Sequence, residues 1–227
     1  MYLAHFGLRE LPFGMTPDTG YFFATQSAQA ALNTLLIACH AGEGFIKITG
    51  EVGSGKTMLC RKFLASLEEP FFTAYIPNPM LEPRSLMLAL SDELGLALPE
   101  RVEQHQLFKS INRRLLQLAE QGKRVILCLD EAQAMPLASL EALRLLTNLE
   151  TEKRKLLQIV LFGQPELDRK LARPEIRQLA QRISFHDELK GLSRAELQAY
   201  IAHRTQVAGW SANHSLFDAK ALANLHL

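Results

Sequence analysis

The sequence predicts an α/β fold: a mainly parallel sheet held between helices, followed by a smaller, purely helical piece. Three observations predict it. Short runs rich in β-branched and aromatic residues alternate with helical patterns. A glycine-rich loop joins the first such run to the helix after it, and the alternation stops near Gly191. With 227 residues, the chain can bury one large core and carry a small appendage.

The strand-like runs are Phe45–Thr49, Phe71–Ile76, Val125–Leu129, Leu156–Phe162 and Ile183–His186. A helical pattern over Ala28–Ala41 precedes the first, and Thr57–Leu67 follows the glycine loop. Arg84–Leu94 runs into Gly95 and Gln104–Gln121 into Gly122, glycines placed where helices end. Leu137–Leu149 and Glu166–Ala180 complete the set. Strands spaced by helices imply parallel pairing with both faces covered. Beyond Gly191, Ser193 and Glu196 have capping-box spacing, and an amphipathic helix runs from them to Gly209. A second helical pattern starts near Ser215 and continues to Leu227 without a terminator. The expected division is therefore a core over residues 1–190, opening with an aromatic arm over 1–25, and a partial helical lid over 191–227.

Composition narrows the classes. Net charge is +1, so no global field would hold the protein on DNA or on an anionic membrane. The clusters Lys153-Arg154-Lys155 and Arg113-Arg114 read as solvated helix faces. Cys39, Cys60 and Cys128 are odd in number and far apart, which suits reduced thiols rather than disulfides or a zinc site. The histidines form no metal-ligand pattern. The N-terminus lacks a secretory leader, and the longest apolar segment is too short and polar to span a bilayer. These features predict a cytoplasmic protein whose membrane association would need a partner or a segment outside these residues.

The chemistry begins at Gly50-Glu51-Val52-Gly53-Ser54-Gly55-Lys56-Thr57, which fits the phosphate-loop pattern G-x-x-x-x-G-K-[ST]. Glycines let successive N–H groups turn inward around an anion, and the following helix adds its N-terminal dipole. Lys56 supplies a cation for the outer phosphates, and the Thr57 hydroxyl suits Mg²⁺. Met58 lies in the same first turn. A chance match is expected about once per hundred chains at average glycine usage. The strand before the loop and the helix after it make a mere turn a poor account.

Val125–Leu129 then delivers Asp130 and Glu131 to a strand end, the edge where open α/β sheets bind ligands. Asp130 is expected in the Mg²⁺ shell and Glu131 beside the attacking water. Gln164 follows the fourth strand, where an amide could sense the γ-phosphate. Arg177 and Arg182, predicted on a helix before the last strand, are candidates for an arginine finger in a neighbouring subunit's site. In the aromatic arm, Pro12, Phe13 and Tyr21 are candidates for the wall of an adenine pocket.

Taken together, the phosphate loop, "LCLDEAQ", "LFGQPEL", "IRQLAQRI" and the helical tail resemble an AAA+ ATPase. More narrowly, "YLAHFGLRELPFGMTPD" and "GEGFIKITGEVGSGKT" resemble the ExeA/GspA-type ATPases of type II secretion, on the side that serves mannose-sensitive haemagglutinin (MSHA) type IV pilus biogenesis. The resemblance implies a P-loop NTPase AAA+ core with a five-stranded sheet, binding of ATP and Mg²⁺, and self-oligomers with nucleotide at subunit interfaces. It also implies pilus or secretion assembly partners at a bacterial inner membrane. By position it assigns roles to Lys56, Thr57, Asp130, Glu131, Gln164 and Arg182. ExeA-like relatives carry a transmembrane segment and a periplasmic domain not found in these residues, and a second-sensor arginine is expected beyond the lid seen here. Two other readings share the core: a DNA-linked AAA+ regulator of the transposition or replication-initiator kind, and a nucleotide-dependent switch with little turnover.

Overall fold

The computed structural model of the chain describes residues 2–14, 16–99, 101–150, 155–211 and 215–225. Five strands form one sheet: β1 (Phe45–Gly50), β2 (Phe71–Ile76), β3 (Arg124–Leu129), β4 (Leu157–Gly163) and β5 (Ile183–Leu189). Their order is β2-β3-β4-β1-β5, and every pairing is parallel. Burial explains the order. All seven residues of β4, between β3 and β1, are buried, as expected for an apolar run covered on both faces. On the edge strand β5, exposed Ser184, His186 and Glu188 alternate with more buried neighbours, which blunts the edge.

Before the sheet stand α1 (Tyr2–Phe6) and α2 (Gln26–Ala41), the latter capped by the Thr25 side chain on Ala28 N–H. The crossovers are α3 (Lys56–Ala65), α4 (Pro83–Glu93), α5 (Gln104–Glu120), α6 (Leu137–Leu146), α7 (Glu166–Leu171) and α8 (Arg177–Ala180). One face of the sheet packs on α2 and α3 through Leu35, Leu59, Phe63, Ile48 and Phe162. On the opposite face, Leu107, Ile111 and Leu115 of α5 recur at helical spacing against Val125, Leu127 and Leu129 of β3. Truncating such a fully buried side chain to alanine costs about 2–5 kcal/mol.

After β5 come α9 (Arg194–Val207) and α10 (Ala219–Leu225), with no strand among the described residues. The expected capping box is present: the Ser193 hydroxyl accepts from Glu196 N–H, and the Glu196 carboxylate accepts from Ser193 N–H. A third, small cluster packs Leu8 and Tyr21 of the arm against Ala208.

The five strands lie where the sequence predicts: β2 matches, β1 and β3 each gain one residue, β4 is displaced by one, and β5 runs on from His186 to Leu189. One helix does not. In place of a continuous helix over 166–180, α7 ends at Leu171, a 3-10 turn spans Pro174–Ile176, and α8 holds only Arg177–Ala180. Pro174 is the cause. It forces Arg173 into extended backbone (φ −69°, ψ 141°) and restarts the helix. Arg182 consequently lies in the turn before β5 rather than on a helix. Residues 153 and 154 of the basic cluster lie outside the described residues.

Strand order positions the site. The chain leaves β1 toward one edge of the sheet and β4 toward the other, which opens a crevice at their C-terminal ends. Register aligns those ends: Thr49 pairs with Gly163, and Leu129 with Leu161.

Candidate nucleotide site

A cavity of about 640 Å³ opens at that crevice, within the range of small-molecule sites. Residues Glu51 to Met58 form its floor, with Glu131 and Gln164 on one side. Gly14, Thr16, Pro17 and Tyr21 of the arm face Gly191, Tyr200 and Arg204 from the other end.

The loop between β1 and α3 needs its glycines. Gly53 (φ 80°) and Gly55 (φ 92°) sit in left-handed backbone, which L side chains rarely adopt. Gly50 is required by close approach instead, since a Cβ there would come within 2.6 Å of Ser54 Oγ and 2.9 Å of the Leu189 carbonyl. Val52 stands at the crown, 77% exposed.

Lys56 is only 5% exposed, and its Nζ donates to the Gly50 carbonyl (2.9 Å) and the Glu51 carbonyl (2.8 Å). Burial lowers its pKa, and the carboxylates of Glu131, Asp130 and Glu51 oppose that shift. Thr57, next in α3, donates from Oγ1 to Asp130 Oδ2 at 2.6 Å. Asp130 is 2% exposed, and its Oδ1 accepts from Glu131 N–H at 3.0 Å. Burial raises the Asp130 pKa, against the hydrogen bonds from Thr57 and Glu131 N–H.

These groups fit a nucleotide polyphosphate and a hard cation. A desolvated ammonium rests on weak carbonyl acceptors that phosphate oxygens would displace, and one hydroxyl and one carboxylate share a site at hydrogen-bond distance. Mg²⁺ is usually held by one or two protein oxygens together with phosphates and water. Among the described residues no cluster of three or more His, Cys, Asp or Glu could hold a metal alone.

Glu131 lies in left-handed backbone (φ 55°, ψ 37°), alone among the described non-glycine residues. The Gln164 amide donates to Glu131 Oε2 at 3.2 Å, so the residue predicted after β4 does reach the acidic pair.

Other predicted residues lie elsewhere. Pro12 and Phe13 are absent from the cavity lining, because Arg204 draws them onto α9: its Nε donates to the Pro12 carbonyl, and its guanidinium lies 5.8 Å from the Phe13 ring. Of the three arm residues predicted there, only Tyr21 lines the cavity, together with Gly14, Thr16 and Pro17. Arg182 donates from Nη1 to Thr147 Oγ1 (3.0 Å) and the Arg144 carbonyl (3.3 Å), the C-terminal turn of α6 in its own chain. Arg177 is exposed.

Three contributors were not foreseen. Arg204, 8% exposed, lies 4.6 Å from the Tyr21 ring and 5.6 Å from the Tyr200 ring. Its only sequence signal is helical spacing with Tyr200, because its main partner is 192 residues away. Tyr75 on β2 places its hydroxyl 3.5 Å from Asp130 Oδ2, and burial together with the Asp130 charge pushes that hydroxyl up to about 12. Gln133 joins Glu131 to Gln164.

Comparison with known proteins follows the same lines. Residues 39–171, which contain the phosphate loop, the acidic pair and Gln164, match the family described as AAA domain. The chain belongs to this AAA family. Across 226 residues it is 43% identical to General secretion pathway protein A of Aeromonas hydrophila, covering all of this chain and 41% of that protein. It is thus an AAA+ protein of the ExeA/GspA type, and it spans less than half the length of that relative. Among solved structures it resembles the ORC2 protein of Aeropyrum pernix in its ADPNP–ADP complexes (TM-score 0.63, 18% identity, 80% of this chain and 51% of that one). Cdc6p of Pyrobaculum aerophilum is similar at TM-score 0.64 and 17% identity, over 87% and 55% of the two chains. At such identities these likenesses establish the AAA+ fold. No helix among the described residues is long and apolar enough to cross a membrane.

Proposed function

We propose that the chain binds Mg²⁺·ATP and hydrolyses it to ADP and phosphate, and that this turnover drives or regulates assembly of a type II secretion machine or an MSHA-like type IV pilus. The observation that carries the hydrolytic reading is the convergence of Lys56, Thr57 and Glu131 at one end of a cavity, with Asp130 behind them on the Thr57 hydroxyl and Gln164 on the Glu131 carboxylate. Lys56 would exchange its carbonyl partners for the outer phosphates, and Thr57 and Asp130 would hold the cation. Bound Mg²⁺ supplies charge neutralisation on the phosphate oxygens. Glu131 would orient water and accept its proton, with Gln164 between it and the γ-phosphate. The adenine ring would lie toward Tyr21 and Arg204.

The secretion or pilus role rests on the likeness to General secretion pathway protein A, and so does attachment at the inner membrane through partners. Assembly into self-oligomers would complete each site at a subunit interface, and Arg182 could act there only by leaving the end of α6. Specific activity that rises with protein concentration is the expected sign of such a trans contact; a flat dependence would remove Arg182 from that role.

Glu131→Gln decides the main reading. Turnover should fall about 10²-fold or more while ATP binding is retained. Unchanged turnover would show that Glu131 is not the base.

A further inference from the structure

Gln133 lies in the 3-10 turn Ala132–Ala134, two residues beyond Glu131. Its carboxamide bridges two strand ends. The Gln164 backbone N–H donates to Gln133 Oε1 at 3.0 Å, and Gln133 Nε2 donates to Glu131 Oε2. A backbone N–H can only donate, so the amide oxygen must face it and the NH₂ must face the carboxylate. The direction of the bridge is therefore fixed by chemistry.

Space is reserved for this bridge. A Cβ on Gly163, the last residue of β4, would lie 2.8 Å from Leu167 Cδ2 and 3.3 Å from Gln133 Oε1. The backbone of Glu131 is committed as well. Its left-handed conformation is one that non-glycine residues rarely adopt, and it is held by Glu131 N–H on Asp130 Oδ1 and by Ala134 N–H on the Glu131 carbonyl. What remains free in such a residue is the side chain. Donors from Gln133 and Gln164 converge on one carboxylate oxygen, Oε2, while the residue lines the cavity. Two donors on one oxygen make the carboxylate oxygens inequivalent.

We propose that Gln133 is a positioning residue for ATP hydrolysis: it anchors on the end of β4 and clamps Glu131 through Oε2, presenting Oε1 to the nucleophilic water. The assignment rests on the reading of Glu131 as the base. Loosening a general base by about 1 Å can cost on the order of 10²-fold in rate, so the clamp belongs to the rate and not to binding.

Gln133→Glu separates positioning from bracing. It keeps the volume and an acceptor for Gln164 N–H, but it replaces the donor to Glu131 with a second carboxylate. The expected result is a kcat about 10- to 100-fold below wild type, with ATP affinity within about twofold. Gln133→Ala, which removes both contacts without adding charge, should lose kcat in the same direction, again with affinity kept. Wild-type kcat in Gln133→Glu would overturn the proposal. So would a fall in kcat matched by an equal loss of affinity, which would mark a distorted site. Wild type and Glu131→Gln are measured alongside. If these two differ as expected and Gln133→Glu equals wild type, only the clamp fails. If wild type binds ATP and never turns it over, the hydrolytic reading fails and the clamp falls with it.

Discussion

The two ends of the cavity are built in different ways. At the phosphate end, eight consecutive residues form the floor, and three strand termini in register bring Asp130, Glu131 and Gln164 to it. At the other end, Arg204 of α9 meets Pro12 and Tyr21 of the arm across most of the chain's length. Arg61 of α3 donates to the Pro17 carbonyl, and Arg9 donates from its side chain to the Val207 carbonyl and from its N–H to the Ala208 carbonyl. The arm is thus tied both to the core and to α9. One end is a rigid product of sheet geometry, whereas the other is a strap whose shape depends on few contacts. Segments held by few buried contacts occupy the low end of the local stability range.

The sharpest way to break this contrast is to remove one cation from each end. Lys56→Ala should lower the affinity for ATP and for inorganic tripolyphosphate alike, by about 10²-fold, since charge-assisted contacts to phosphate are lost from a desolvated site. Arg204→Ala should lower ATP affinity by only about tenfold and leave tripolyphosphate binding unchanged. It should also speed amide exchange at Arg9, whose N–H is bonded to Ala208. Calorimetric titration with both ligands checks the pair. A loss of tripolyphosphate binding in Arg204→Ala would mean that the two ends are not separable.

The same contrast explains what could be read in advance. All five strands and the phosphate end were legible, because they follow from local patterns: β-branched runs, a glycine loop with Lys56, and carboxylates at a strand end. Hydrophobic periodicity fixes which face of β3 meets α5, and parallel pairing then brings Asp130 beside Thr57. The arm was misread at Pro12 and Phe13 because nothing local says that Arg204 will take the Pro12 carbonyl. Gln133 stood in plain view within "LCLDEAQ", but its role needs the end of β4 beside it, which is a tertiary fact. The break at Pro174 had a local signal, and there the helical periodicity of 166–180 outweighed it.

The smallest expected effect concerns stability at the rigid end. Burial raises the Asp130 pKa, so the folded chain holds that proton more tightly than the unfolded chain does. The associated stability is fully present below the ordinary carboxylate range and is lost as pH rises through the raised value. Asp130→Asn carries no charge at any pH and can keep both contacts, its Oδ1 accepting from Glu131 N–H and its amide donating to the Thr57 hydroxyl, which can also accept. Without ligand at neutral pH it should melt above wild type; a relief of about 1 kcal/mol corresponds to about 2–4 °C in a chain of this size. The gap should close on acidification, as wild-type Asp130 becomes neutral. Added Mg²⁺·ATP should reverse the order, because the cation restores a partner to the wild-type carboxylate and none to the amide. Thermal melts across pH, with and without Mg²⁺·ATP, check each step. An Asp130→Asn chain that melts below wild type at neutral pH without ligand would mean that the phosphate end holds this charge at no cost, and the rigid end would then carry no strain for nucleotide binding to relieve.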